Sequence, residues 1–448
     1  MPKSVPRRKK ARRPASPTEL PPIEVAADYI GAQGDGVVEE SEHGRLYVPL
    51  AAPGDRLRVV PGAKRGDGRT ARIEEILEAS PDRTEPPCRH FGICGGCALQ
   101  HVAPTAIARE KRDLLIEALA RKGFDEAALE ERVVSETVSI PPGTRRRARL
   151  AVRRIKGRAI LGFNERAGPK VVDLQHCPIL VPALVEMLPA LRELAGGLKS
   201  LGEGGDVHLL ASETGADVLF LPAKAADPGL AEREALTAFA ERFDVARIAW
   251  APEPGAPPEP VTARRAPRVT FGGAPIEPPP AAFLQPSREG ERAIAGAVAA
   301  ALADADRIAD LYAGCGSLGL PLAAAGKAVH AVEGLADHVD AFRKAGGALG
   351  LRVSAEVRDL ARSPLTADEL QRFDAVLFDP PRAGAAEQAR EIAASAVARV
   401  VAVSCNPSTL ARDLRTLEDG GYRLQAATPI DQFPWSGHLE AVAVLSRA

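Results

Sequence analysis

Cysteine is scarce in this chain: six in 448 residues, three of them within CRHFGICGGC at positions 88 to 97. Six so clustered are too few for a disulfide framework, and a chain of this length does not need one to hold its cores. Long apolar runs are absent as well. None approaches the length of a membrane span, so the sequence reads as that of a protein of the reducing cytoplasm with no membrane partner. Acidic residues are missing from the first 17 positions, MPKSVPRRKKARRPASP, which carry seven Lys or Arg. That segment lacks the apolar core of a secretory signal, and its prolines argue against an amphipathic targeting helix. The overall charge of -1 therefore hides an asymmetry: taking those seven from the total of 58 leaves 51 basic residues against 59 acidic ones. The tail is a cationic arm that either contacts phosphates or is simply solvated.

With 45% apolar and 26% charged residues, the chain is long enough for two or three domains. After a basic tail over residues 1–22, short β-like runs at 23–80 (VAADYI, RLYVPL, RLRVVP, TARIEEIL) are split by GAQGDG, APGD and KRGDG, the turn chemistry of a small OB-type β-barrel. A central α+β region at 81–270 holds the cysteine segment, a helix over about 104–122, and GTRRRARLAVRRIKGRAILGF. That last stretch reads as two strands around a turn at Lys156 and Gly157, with Leu150, Val152 and Ile155 facing a core and Arg147, Arg149 and Arg153 on the other side. Its eight Lys or Arg between Arg145 and Arg158 form either a phosphate-binding face or a solvated one. A Pro-rich stretch at 252–280 precedes residues 271–448, where strand and helix alternate five times before two strands with no helix between them. This pattern is α/β: a doubly wound, Rossmann-like sheet with an antiparallel ending, as in class I methyltransferases.

In DLYAGCGSLG, Gly314, Gly316 and Gly319 follow a strand directly, and Glu333 ends the next strand. Glycines admit a nucleotide close to the backbone, and the acid can accept hydrogen bonds from ribose hydroxyls. That much fits NAD or S-adenosylmethionine. Asp379, in FDPPR at the end of the fourth strand, and Cys405, at the end of the fifth, favour a methyl donor. An Asp-Pro-Pro corner lines the slot between donor and a planar substrate, although Asp379 also reads as a helix-capping turn former. Cys405 lies in VSCNPSTLARDL, before a helix expected to be N-capped by Ser408 or Thr409, where the local field should favour thiolate. Near the end, DQFPWSGHLE is expected to turn His438 and Glu440 to one side. A cysteine and a carboxylate beside a methyl donor are what methylation of carbon 5 of a pyrimidine requires. Cys405 would add to carbon 6, and Glu440 would remove the carbon 5 proton.

These motifs, with FLQP at 283 to 286, AVEG, DPPRAG and SCNPSTLARDL, resemble the uridine-5 RNA methyltransferases that modify 23S ribosomal RNA, a family with an N-terminal TRAM domain and an iron-sulfur cluster. The resemblance implies that Gln285, Tyr312, Gly314, Glu333 and Asp379 serve S-adenosylmethionine and the target base, and that helix 104–122 packs on the methyltransferase fold. It also implies that Cys88, Cys94 and Cys97 share one [4Fe-4S] cluster with Cys177 of DLQHCPIL. On sequence chemistry alone, four thiolates suit zinc equally. The implied partner is RNA, 23S rRNA before tRNA, because the tRNA-modifying relatives usually lack both barrel and cysteines. No obligate protein partner is implied. An RNA-binding or assembly factor with an inactive methyltransferase domain is the reading from another class. Ser287 stands where the family commonly has Asn, and can cap the helix that follows.

Overall fold

The computed structural model describes residues 20–253 and 255–447, so most of the basic tail at 1–22 lies outside the described residues. Two compact units emerge, one from residues up to 31 with 35–83, the other from 32–34 with 84 onward.

The first unit is all β. Its six strands pair in the order Ile23–Ala26, Arg56–Arg65, Gly68–Glu78, Leu46–Val48, Gly36–Val38, Tyr29–Ile30 around a small core of Leu46, Val48, Leu57 and Val59. All pairings are antiparallel except that of Leu46–Val48 with Gly68–Glu78.

The second unit holds two large sheets. In the first, six strands run in the order Glu259–Ala263, Arg247–Trp250, Gly215–Pro222, Gly204–Ser212, Arg147–Ile155, Arg158–Gly162, covered by helices Pro182–Gly197 and Leu230–Arg242. The expected turn at Lys156 and Gly157 is there, with φ of 50° and 79°, the paired positive values of a tight hairpin turn. Leu150 and Val152 are buried, whereas Ile155 is 60% exposed. Its assignment to the core is corrected by the strand period of two, because a residue three beyond Val152 points to the opposite face.

The other sheet has eight strands: β1 (Val138–Ser139), β2 (Arg307–Leu311), β3 (Ala328–Glu333), β4 (Val353–Val357), β5 (Ala375–Phe378), β6 (Arg399–Ser404), β7 (Tyr422–Asp431) and β8 (Glu440–Arg447). Their order is β4-β3-β2-β5-β6-β8-β7-β1. Strands β2 to β6 pair in parallel, while β8 is antiparallel to both neighbours. Near-continuous apolar runs such as AVLF and RVVAVS let both faces be covered. Val376, Phe378, Val400 and Ala402 belong to one core, and Leu377, Val401 and Val403 to the other.

Helix α1 (Pro104–Ala120) adds Leu115, Ile116 and Leu119 to the first of these cores, beside helix α3 (Pro407–Asp419). Helix α2 (Arg288–Ala301) adds Ile294 and Val298 to the second. Among the described residues no helix is long and apolar enough to cross a membrane.

Lys111 of α1 is 3% exposed, ion-pairs with Asp431 at the end of β7, and donates a hydrogen bond to the Phe433 carbonyl at 3.2 Å. Burial pulls its pKa down, and Asp431 opposes that. Removing one member of such a pair strands the other charge. Lys111→Ala is thus expected to destabilise by about 3 kcal/mol, seen as a lower urea midpoint, and Lys111→Met with Asp431→Leu to recover most of the loss.

Candidate active site

The pairing of β6 with β8 ends at Ser404 opposite Ala441. One step further along the same antiparallel register sets Cys405, just past β6, against Glu440, the first residue of β8. On the other side, β5 runs parallel to β2 and β6, so Asp379 leaves the sheet at the same edge, and its N–H donates to the Leu311 carbonyl at 3.2 Å. A cavity of about 560 Å³ opens there. Cys405, Glu440, Asp379, Gln285, Tyr312, Gly314 and Glu333 all line it, so every methyltransferase-site residue expected from sequence faces one space.

The glycine loop shapes one end. Gly316 has φ of 92°, and a β-carbon on it would stand 2.4 Å from the Phe342 ring; one on Gly319 would stand 2.3 Å from Asp310 Oδ2. No side chain is tolerated at either place. Gly314 donates its N–H to Glu333 Oε2 at 3.0 Å, and Leu335 donates to Glu333 Oε1 at 3.0 Å, which fixes the carboxylate at the cavity wall. Tyr312, immediately before the loop, has φ of 61°, an uncommon left-handed conformation for a non-glycine residue.

At the other end a line of hydrogen bonds joins the acids. Gln285 Nε2 donates to Asp379 Oδ2 at 3.4 Å, and Gln432 Nε2 donates to Gln285 Oε1 at 2.8 Å and to Glu440 Oε2 at 2.7 Å. Gln285 is itself held from the central region. Arg146, in a buried ion pair with Glu291, donates from Nε to the Gln285 carbonyl at 3.0 Å and from its backbone to the Pro286 carbonyl at 2.8 Å. Ser287 caps α2 by accepting from the Gly290 N–H at 3.0 Å.

Burial raises Asp379, Asp310 and Glu440. Asp379 is pushed up to about 7. Asp310 reaches about 8, through burial and then the charges of Asp379 and Glu333. Burial and Asp379 hold Glu440 well above the usual carboxylate range, against the hydrogen bond from Gln432.

Cys405 corrects an expectation. Instead of favouring thiolate, its surroundings push the thiol up to about 11, through burial and then the nearby Glu440 and Asp379, with Arg382 opposing. The helix terminus does not overcome two carboxylates and partial desolvation. The cap of α3 is also neither Ser408 nor Thr409: Asn406 accepts from the Ser408 N–H at 3.2 Å, with Pro407 in the first turn. His438 is exposed beside Phe433 and is not among the residues lining the cavity, whereas Glu440 is buried and lines it. The loop entering β8 is not yet strand, so alternation does not govern it.

All four cysteines of the implied cluster are free, Cys94 and Cys177 buried, Cys88 and Cys97 half-buried. Burial pushes the Cys97 thiol up to about 12, and the charges of Cys177, Cys94 and Cys88 add to the rise, so the four lie within electrostatic reach. Gly96 donates its N–H to Cys94 Sγ at 3.4 Å, and the backbone N–H groups of Ile179 and Leu180 bond to Cys177. The Arg145 guanidinium lies close enough to Cys177 and Cys97 to feel both. Among the described residues no three His, Cys, Asp or Glu side chains gather as ligands of one metal ion would.

Sequence reasoning missed Asp310, Asp359 and Gln432. Asp310 and Asp359 line the cavity; each ends or follows a parallel strand, the position where ligands bind in doubly wound sheets, and that signal was available. Gln432 lay within a quoted motif, but nothing in its spacing told which way it points.

A model of the tRNA (uracil-5-)-methyltransferase family matches residues 277–448. An RNA methyltransferase of Rhizobium meliloti is 40% identical, with 94% of this chain and 99% of that one covered. Another, of Mesorhizobium japonicum, is 44% identical over 93% and 96%. The 23S rRNA (uracil(1939)-C(5))-methyltransferase RlmD of Alkalilimnicola ehrlichii is 35% identical over 97% of this chain and 98% of its own. In fold, the chain is similar to the crystal structure of a Pyrococcus abyssi tRNA (uracil-54, C5)-methyltransferase, with a TM-score of 0.72 at 23% identity, covering 94% and 99%. Given relatives alike over almost their whole length and a site with this geometry, the chain belongs to the RNA (uracil-5-)-methyltransferase family.

Proposed function

We propose that the protein methylates carbon 5 of a uridine in 23S rRNA with S-adenosylmethionine, using Cys405 as nucleophile and Glu440 as proton acceptor. The observation that carries this reading is the convergence of Cys405 and Glu440 on one cavity with the glycine loop and Glu333. Bound S-adenosylmethionine supplies an electrophilic methyl group. Glu333 can accept from its ribose hydroxyls, and Gly314, Gly316 and Gly319 let the backbone come close.

Carbon 5 of uracil is too poor a nucleophile to be methylated unaided. When Cys405 Sγ bonds to carbon 6, the ring becomes an enolate whose carbon 5 can take the methyl group as the sulfonium S–CH3 bond breaks, leaving S-adenosylhomocysteine. Glu440 then takes the proton from carbon 5, the Cys405–carbon 6 bond breaks, and the RNA leaves with 5-methyluridine in place of uridine. With its thiol pushed up to about 11, Cys405 must pass its proton to solvent as sulfur adds, and the Arg382 cation beside it favours the thiolate that attacks. Glu440, raised by burial, is a stronger base than an exposed carboxylate, which suits removal of a carbon-bound proton.

Ribosomal RNA as substrate is supported by the whole-length similarity to the RlmD relative. The all-β unit, read as a TRAM module, and the Arg-rich hairpin at Arg147–Gly162 would hold the RNA while the target base is flipped into the cavity.

We assign Cys88, Cys94, Cys97 and Cys177 to a [4Fe-4S] cluster rather than zinc. Zinc–thiolate bonds of about 2.3 Å draw four sulfurs to within roughly 4 Å of one another. The four thiols lie within electrostatic reach of one another, and it is the resemblance to a cluster-bearing family that favours four irons with one thiolate each over a single zinc ion. The N–H groups on Cys94 and Cys177 and the Arg145 cation would offset an anionic cluster. Such a cluster would tie the segment at 88–97 to the one at 177, and methyl transfer by the route above needs no electron from it.

Two experiments test these assignments. Glu440→Gln with 23S rRNA fragments and S-adenosylmethionine is expected to accumulate a denaturation-resistant protein–RNA adduct, and Cys405→Ala to show neither adduct nor product while still binding RNA. Turnover by Cys405→Ala would remove the nucleophile assignment, and methylation of tRNA alone would remove the ribosomal substrate. For the metal, anaerobically purified protein should be brown with broad absorbance near about 400 nm, and Cys177→Ala should lose iron; a colourless protein holding zinc would contradict the cluster.

A further inference from the structure

Gln432 follows the last residue of β7, and the register of β7 against β8, with Ile430 opposite Glu440, brings it beside the base. It is 2% exposed. Its Nε2 has two hydrogens and uses both, one to Gln285 Oε1 at 2.8 Å and one to Glu440 Oε2 at 2.7 Å. Its Oε1 is buried with no hydrogen-bond partner, beside α2, where a β-carbon on Gly290 would stand 2.7 Å away. A buried amide with its acceptor unmet is costly, so filling space would be better served by an apolar side chain.

The sense of each amide follows from the chemistry of its neighbours. An ionised carboxylate only accepts, so the Gln432 atom facing Glu440 is the nitrogen. That nitrogen only donates, so the Gln285 atom facing it is the oxygen. Gln285 must then turn its own nitrogen toward Asp379 Oδ2 at 3.4 Å and the cavity. Gln285 cannot flip while Gln432 holds it.

We propose that Gln432 is a positioning residue whose single side-chain nitrogen fixes both the carboxylate of Glu440 and the amide sense of Gln285. One donor thereby aims the proton acceptor and sets a hydrogen-bond donor on the cavity wall. The groups facing Glu440 from the neighbouring strand ends, Asp379 and the Cys405 thiol, offer it no compensating donor of fixed direction. Without Gln432 the carboxylate is free to turn, and the step that suffers is proton removal from carbon 5, after the methyl group has arrived. This rests on Glu440 being the base.

The test uses the full-length protein and an RNA that the wild type methylates. Gln432→Met keeps the length of the side chain and removes the donor; Gln432→Glu keeps its shape and replaces the donor with an acceptor. Both are expected to lower kcat about ten- to a hundredfold while KM for RNA and for S-adenosylmethionine stays within about twofold, with a covalent protein–RNA adduct accumulating during turnover. A space-filling role would instead lower the melting temperature without adduct. If Gln432→Met fails to fold, Gln432→Glu is read alone. A folded variant with wild-type kcat and no adduct, or one whose loss lies wholly in KM, overturns the proposal. Glu440→Gln run in parallel separates two failures: no adduct there removes the base assignment and this inference with it, whereas an adduct there with normal Gln432 variants removes this inference alone.

Discussion

One antiparallel pairing fixes the chemistry of this chain. A parallel, doubly wound sheet delivers residues to its upper edge only from strand ends, which is where Asp310, Glu333, Asp379 and Cys405 sit. A strand start cannot reach that edge unless the strand runs the other way. Strand β8 does so, inserted between β6 and β7, and its first residue is Glu440. A shift of one residue in this register would turn Glu440 to the opposite face and separate it from Cys405. In the run that follows, Ala441, Ala443 and Leu445 pack into one core and Val442 into the other.

The cavity is electrostatically unusual in a consistent direction. Asp310, Asp379, Glu440 and Cys405 are all raised, and burial is the first cause in each case. Four groups so poised hold their protons more tightly than in water. In the reaction proposed above, that suits a thiol that adds to a ring only once the ring is present, and a carboxylate strong enough to take a proton from carbon. Keeping the carboxylate aimed is then a separate problem from keeping it basic, and Gln432 is the group placed to solve it.

Much of this was legible in the sequence. The alternation of strand and helix after residue 280, the glycine loop, and Cys405 and Glu440 as residues of one cavity followed from patterns only a few residues long. The hairpin turn at Lys156 and Gly157 followed from turn chemistry. What escaped depended on direction and environment. Ile155 looked apolar enough for a core but sits out of phase with Val152. Asn406 took the cap from Ser408 and Thr409 because Pro407 belongs in the first turn. The field at Cys405 could not be read from one helix end, since the two carboxylates that dominate it arrive from 26 and 35 positions away in the chain. Gln432 is the extreme case, because its role exists only where β7, β8 and the segment bearing Gln285 meet.

The central region and the methyltransferase sheet are joined at the site itself. Arg146 holds the Gln285 and Pro286 carbonyls, and Lys111 holds the end of β7 just before Gln432. Segments outside the methyltransferase sheet thus also fix residues of the site. The central claim is that Cys405 bonds to the pyrimidine during methyl transfer. An RNA substrate carrying 5-fluorouridine at the target tests it most directly, because fluorine cannot be removed as a cation and the intermediate should freeze. Mass spectrometry of the digested complex should find a methylated fluorouridine attached to the peptide containing Cys405. A methylated product with no covalent adduct, or an adduct on any other residue, would contradict the account.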